Sequence, residues 1–223
     1  EAERIFSIDV ECVATGVTHE RSSRTPCEVA LVDCCGKVLF QTYILPSKPV
    51  VSYLTPFTGI GKGDLVRQRA LPLPVAIRRL KTRLPSNAVL VGQNIKSDID
   101  WMELKHGTDF DSYIDLANVY QGVDGKVWSL QHQARVLLKK ERIARSHHNP
   151  VWDARVSVEL YFGAASASED EFARHRKELL TYPRPPEFSL AKRLGYKLDG
   201  VCLSGASRYN CSCGKPLMNS WII

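Results

Sequence analysis

Hydrophobic residues fall in short, nearly unbroken runs at the start of the chain and at helical spacing further on. Residues 4–10 read as a strand whose apolar stretch, from Ile5 to Ile8, delivers a polar end at Asp9-Val10-Glu11. A loop rich in Ser, Thr and Arg follows, then a second strand over 28–33 and a third over 38–45. Cys34-Cys35-Gly36-Lys37 joins the last two tightly, with glycine as the turn residue, so the three strands form a meander. Residues 46–63 are rich in Pro and Gly and read as a surface loop beside a site. Between Pro74 and Leu84, the apolar residues Val75, Ile77, Leu80 and Leu84 recur at helical spacing among Arg and Lys. A short buried strand over 89–92, a helix over 95–104 and a strand over 113–116 come next. Helices follow over 129–138, with Ser129 as N-cap, and over 151–162, with Val151, Ala154, Val158, Tyr161 and Phe162 on one face. Three strands followed by alternating helices and strands predict an α/β sandwich around a mixed sheet.

The character changes past Ala164. Residues 165–168 read as a break, 169–180 as a charged helix, 182–186 as an extended segment, and the remainder as Gly-rich and basic. This divides the chain into a domain over 1–165 and an appendage over 166–223, packed on the core or partly mobile. Charge reinforces the division. From Arg174 onward nine Lys and Arg stand against three acids, so the formal excess of +6 resides in that end and the body before it is neutral. A basic end can neutralise a polyanion or simply be a solvated surface; with Tyr196, Tyr209 and Trp221 interleaved it could also stack on a single strand, although packing of those rings on the body is the competing reading.

Length and composition suit one sizeable globular domain, and no stretch reaches the roughly 18 apolar residues of a membrane span. The seven cysteines are odd in number, most sit in strand-like contexts, and no leader is visible. Reduced thiols in an intracellular compartment, cytoplasmic or nuclear, are the expectation. Cys211-Ser212-Cys213 with Cys202, and no histidine after His175, is a poor zinc signature, so these three are expected to be ordinary thiols.

The candidate chemistry lies in three acidic segments. Asp9 and Glu11 are two apart on a strand and therefore share a face. Two carboxylates at the edge of a core repel each other unless a cation or proton intervenes, and a divalent metal answers that need. In Gly92-Gln93-Asn94-Ile95-Lys96-Ser97-Asp98 a strand ends in glycine and a helix begins, with Asp98 in its first turn. That position also suits any acid near a helix N-terminus. In His148-Asn149-Pro150-Val151-Trp152-Asp153-Ala154, Pro150 suits the first turn of the last long helix of the domain. Asp153 would be costly to bury on that helix without a partner. His147 and His148 both precede the helix.

The order Asp-x-Glu, Asn-x-x-x-Asp, His-x-x-x-x-Asp resembles the three motifs of the DEDDh 3′→5′ exonuclease superfamily, the DnaQ or RNase T type. Thr58-Gly59-Ile60 is similar to the loop these enzymes carry between their first two motifs, and the resemblance covers about residues 4–162. It implies an RNase H-like mixed sheet flanked by helices, followed here by the basic C-terminal appendage. It further implies that Asp9, Glu11, Asp98 and Asp153 hold two Mg²⁺ or Mn²⁺ ions and that His148, at the spacing that defines the subclass, is the general base. Cys12, Val13, Ile60 and Asn94 match places where relatives contact the terminal nucleotide. Gln93 stands where relatives often carry histidine, and Cys12-Val13-Ala14-Thr15-Gly16 is intermediate between branches. The strand pattern, the Thr58-Gly59-Ile60 loop and the Asp153-Ala154 helix look closest to eukaryotic RNA exonucleases. The implied substrate is therefore a single-stranded RNA 3′ end. A DNA-trimming or proofreading nuclease and a non-catalytic nucleic-acid-binding protein are the alternatives.

Overall fold

The computed structural model describes residues 2–122, 125–141, 147–183, 190–204, 211, 213 and 214. A six-stranded mixed sheet organises them, in the order β4-β3-β2-β1-β5-β6. In chain order its strands are β1 (Ile5–Ala14), β2 (Arg24–Asp33), β3 (Val38–Leu45), β4 (Leu71–Pro72), β5 (Val89–Gly92) and β6 (Ser112–Asp115). The meander β1–β2–β3 is antiparallel, whereas β5 runs parallel to β1 and β6 parallel to β5. The helices are α1 (Thr55–Thr58), α2 (Asp64–Arg67), α3 (Leu73–Lys81), α4 (Lys96–Trp101), α5 (Leu116–Val119), α6 (Leu130–Leu137), α7 (Pro150–Ser166), α8 (Glu169–Thr181) and α9 (Leu190–Arg193). A two-stranded ribbon of β7 (Lys197–Leu198) and β8 (Val201–Cys202) follows. The expected α/β architecture with a mixed sheet is borne out. No helix among the described residues is long and apolar enough to cross a membrane.

The alternation of β1 decides which helices lie on which side. Phe6 and Ile8 join Val29 and Leu31 of β2 on one face, packed against Ala76, Ile77 and Leu80 of α3 and Ile99 of α4. Fully burying a side chain such as Ile8 or Leu90 stabilises the fold by roughly 1.5–3 kcal/mol. The opposite face carries Ser7, Asp9 and Glu11. Ser7 lies directly across from Val32, on which Ala154 and Val158 of α7 pack. One strand thus presents apolar residues to the main core and carboxylates to the side covered by α7. A second core joins α5, α6, α7 and α8 through Leu116, Tyr120, Val136, Val156, Leu160 and Leu179.

Several boundaries differ from the sequence reading. The β1–β2 ladder continues past the carboxylates, through Cys12↔Pro26 and Val13↔Thr25 to Ala14↔Arg24. It can do so because Val13 and Ala14 are covered by residues of the 46–63 loop, among them Leu54, Phe57 and Ile60. That loop is partly helical, with α1 closing on Gly59 in the left-handed region (φ 70°). A positive φ at Glu103 (49°) helps end α4 earlier than the expected 104. The break near 165 is narrower than expected. α7 runs through Ser166, and Ser168 caps α8 in a reciprocal box with Glu171. The extended segment expected over 182–186 falls largely on residues outside those described, as do Tyr209 and Trp221.

The start of α7 sets the spacing between His148 and Asp153. Asn149 accepts the Trp152 N–H through Oδ1 at 2.9 Å, and Pro150 occupies the first helical turn. Asn149→Ala is expected to cost about 1 kcal/mol, which lowers the melting temperature by about 2–4 °C in a chain of this size. Asn149→Asp should leave it nearly unchanged. Thermal unfolding of the two variants beside the parent checks this.

Candidate active site

Three elements bring the acidic segments together. β5 pairs with β1 only over Ile5 to Ser7 and ends at Gly92, so beyond Ser7 the edge of β1 has no strand beside it on that side. Asp98, in the first turn of α4, fills the gap. Its Oδ1 accepts the Val10 N–H at 3.0 Å, between Asp9 and Glu11. The turn that swings Asp98 back is tight. A Cβ on Gly92 would lie 2.7 Å from Ile95 Cδ1 and 3.3 Å from Ile95 Cβ, and Ile95 is fully buried. Asn94 adopts φ 60° and donates its N–H to Asp115 Oδ1 at 2.8 Å. The same Asp115 oxygen caps α5 by accepting the Ala117 N–H at 2.9 Å.

α7 supplies the third segment. Asp153 is only 3% exposed and faces the carboxylate side of the sheet. His148 Nδ1 lies 3.6 Å from Asp153 Oδ2, and potential ligand atoms of Glu11, His148 and Asp153 all lie within 4.8 Å of one another. The His148 N–H donates to Phe57 O at 2.6 Å, which ties the imidazole-bearing segment to α1. His147 has a different neighbour: a Cβ on Gly59 would overlap its imidazole ring. Gly59 therefore lets the Thr58-Gly59-Ile60 loop lie directly against the histidine segment. The loop is held internally, with Thr55 Oγ1 donating to Ile60 O (2.7 Å), Thr58 Oγ1 to Tyr53 O (2.9 Å) and Ile60 N to Thr58 Oγ1 (3.1 Å).

The electrostatics are those of crowded acids. Burial pushes the Asp98 carboxyl well above the usual carboxylate range, with the Glu11 and Asp115 charges pushing the same way and the Val10 N–H pulling against them. Burial and the charges of Glu11 and Asp98 likewise push the Cys12 thiol up, so it stays protonated. The structure adds a further acid that the sequence pattern does not single out. Glu28 lies directly across from Glu11 on β2, on the same face, and its carboxyl is raised by burial against a hydrogen bond from Gln41 Nε2 at 2.9 Å. The register of the meander, unbroken from Phe6↔Asp33 to Glu11↔Glu28, places it there.

The nucleotide-contact candidates divide. Cys12 is half-buried beside Glu11, and Asn94 is half-buried at the turn before α4. Val13 and Ile60 are buried in a small cluster with Cys27 and Leu65, so their side chains face protein. Gln93 is held away from the acids by an amide network, donating to Trp128 O at 3.1 Å and accepting from Gln133 Nε2 at 2.9 Å.

The mixed sheet, the carboxylates of β1, α4 and α7, and the adjoining imidazole define a class. The chain's curated homologues are RNA exonucleases, members of the DEDDh 3′→5′ exonuclease superfamily. No family model matches it. Among curated relatives, it is 31% identical over 163 residues to the mouse protein named interferon-stimulated 20 kDa exonuclease-like 2, covering 71% of this chain and 43% of that one. It is 28% identical over 184 residues to small RNA degrading nuclease 3 of Arabidopsis thaliana, covering 81% of this chain and 22% of the relative. The chain thus spans less than half the length of either. Among solved structures, the Saccharomyces cerevisiae Pan2 pseudoubiquitin hydrolase–RNA exonuclease module in complex with AAGGA RNA superposes with a TM-score of 0.67 at 18% identity, over 81% of this chain and 32% of that one. At that identity the likeness establishes the fold.

Proposed function

We propose that the chain is a metal-dependent 3′→5′ exoribonuclease that releases nucleoside 5′-monophosphates from single-stranded RNA ends. The observation that carries this reading is the convergence of Glu11, Asp98 and Asp153 from three elements, with His148 beside Asp153. Asp98 is a carboxyl pushed toward protonation by burial and by Glu11, and a cation relieves such a site. The hard oxygen donors of Asp9, Glu11, Asp98 and Asp153 suit two Mg²⁺ or Mn²⁺. When bound, such ions supply positive charge at the scissile phosphate and favour ionisation of the attacking water.

The chain's own residues perform the remaining work. The Val10 N–H fixes Asp98 and so the spacing of that carboxylate from β1. The His148 imidazole, anchored through its backbone to Phe57 and at 40% side-chain exposure still open to solvent, accepts the proton of the attacking water. Cys12, kept as a neutral thiol, and Asn94 border the place where the terminal nucleotide rests. Residues 1–165 form the exonuclease domain in this reading, and the basic residues after Arg174 help hold the polyanionic strand. The names of the relatives and the RNA-bound Pan2 structures support RNA over DNA.

Matched 5′-labelled RNA and DNA oligomers with Mg²⁺ or Mn²⁺ test this. RNA should shorten stepwise to a ladder, and 3′-labelled RNA should yield labelled mononucleotide first. Faster DNA digestion would overturn the RNA assignment. Intact substrates throughout, with Asp9→Ala altering only stability, would make this a binding protein.

A further inference from the structure

Four soft-donor side chains meet on the far side of β1 from its beginning. His19 lies in the loop after β1, Cys202 ends β8, and Cys211 and Cys213 follow. His19 Nδ1 lies 3.7 Å from Cys202 Sγ, 3.3 Å from Cys211 Sγ and 3.2 Å from Cys213 Sγ. Cys211 Sγ is 3.8 Å from Cys202 Sγ and 3.2 Å from Cys213 Sγ, and all four ligand atoms lie within 4.8 Å of one another. The cysteines are 183, 192 and 194 residues from the histidine, so no local preference assembles the group.

A tetrahedral zinc with Zn–S near 2.3 Å and Zn–N near 2.0–2.1 Å sets its ligand atoms about 3.5–3.8 Å apart. The observed separations are close to that. They are also well beyond the roughly 2.05 Å of an S–S bond, and all seven cysteines are thiols. Three sulfurs and one imidazole form a soft donor set that selects zinc over Mg²⁺, and no carboxylate belongs to the group. The surroundings are equally specific. The Cys202 N–H donates to Val17 O at 2.8 Å. Arg24 donates through Nη2 to Cys202 O (2.9 Å) and through Nη1 to Thr18 O (2.8 Å) and Ser23 O (3.0 Å). Three thiolates and a neutral imidazole around Zn²⁺ carry one net negative charge, and the Arg24 guanidinium is placed to offset it.

We infer that His19, Cys202, Cys211 and Cys213 form a structural zinc site that fastens the end of the chain to the loop leaving the carboxylate-bearing strand. Four protein ligands leave no open position for substrate water. Binding sends the three thiol protons to solvent and leaves the cysteines as thiolates. The site completes an attachment that other contacts begin. Ala191, Val201 and Leu203 pack on Ala14, Leu54 and Phe57, and Ser52 Oγ donates to Asp199 Oδ2 at 2.6 Å. The loop that carries Phe57, the acceptor for His148, is therefore braced by the same segment that zinc holds. From the sequence, Cys202, Cys211 and Cys213 are expected to be ordinary thiols, because no histidine lies near them in the chain. The ligand comes from the other end of the chain.

The test is metal content of the untagged, freshly purified protein by plasma mass spectrometry. About one zinc per chain is expected, retained in Asp98→Asn and lost in a Cys211→Ser/Cys213→Ser double variant. His19→Ala should lower the content and His19→Cys should keep it. Should the double variant fail to fold, alkylation of the parent protein still decides. Cys202, Cys211 and Cys213 should be protected until a strong chelator is added, while exposed Cys35 reacts throughout. Cobalt substitution should give the thiolate charge-transfer bands of a tetrahedral site. A folded parent protein that takes up no stoichiometric zinc, zinc that is lost in Asp98→Asn but kept in the cysteine variant, or a disulfide among these cysteines would each overturn the inference.

Discussion

Asp98→Asn is expected to cut RNA hydrolysis by on the order of 10³-fold while making the metal-free protein more stable. Both effects follow from the same carboxyl. Asparagine keeps an Oδ1 for the Val10 N–H, so the turn after β5 is preserved, but it removes a buried charge beside Glu11 and Asp115. The activity falls because one of the four acids proposed to hold the ions is gone. The stability rises because the folded state raises this carboxyl above its unfolded value. For an acid so shifted, the folded state binds more protons than the unfolded state within the window between the two pKa values. Stability is therefore full at low pH, and it is lost as pH rises from the ordinary carboxylate range through the elevated folded value. Without metal, the parent's melting temperature should decline across that window, and the Asp98→Asn variant should lack that component of the decline. A gain on the order of 1 kcal/mol, about 2–4 °C, is expected above the window. Thermal unfolding in chelator across pH, with turnover assays in Mn²⁺, measures both. Unimpaired turnover would remove Asp98 from the site. An inactive variant that is less stable at every pH would recast it as a cap for β1.

His148→Ala should lower kcat by about 10²–10⁴-fold, with little change in the apparent affinity for the strand. Its side chain is 40% exposed, and its backbone link to Phe57 survives truncation, so the melting temperature should move little. His147→Ala should retain most of the activity, because that ring rests on the Gly59 loop rather than beside Asp153. The rate profile discriminates a proton acceptor from a mere spacer. The parent should lose activity on the acid side as the imidazole becomes protonated, and this limb should be absent from the residual activity of His148→Ala. If both histidine variants fall equally, or if the acid limb persists in His148→Ala, another group removes the proton.

Much of this arrangement is legible in short stretches of sequence, because backbone periodicity carries it. Asp9 and Glu11 share a face wherever their strand lies, since side chains alternate along it. Asn149-Pro150 announces the start of α7 and thereby the spacing from His148 to Asp153. Gly92 ends β5 because a Cβ would meet Ile95, a constraint visible as a glycine between an apolar run and a helical one. Local reading was weaker where a segment borrows stability from a distant one. The helix α1 forms in a Pro/Gly-rich loop because Leu54 and Phe57 bury against Ala14 and the β8 region. The β1–β2 ladder outlasts its apolar pattern for the same reason.

The chain's local patterns determined most of the sheet's strands and the longer helices and singled out the candidate acids and histidine, because spacing of two or of three to four residues states which side chains share a surface. The tertiary structure alone decided which surfaces meet. It set Asp98 on the Val10 N–H, Glu28 across from Glu11, and His19 among three sulfurs nearly the whole chain away. Those pairings depend on strand register and on packing between elements far apart in sequence, and no run of neighbouring residues records either.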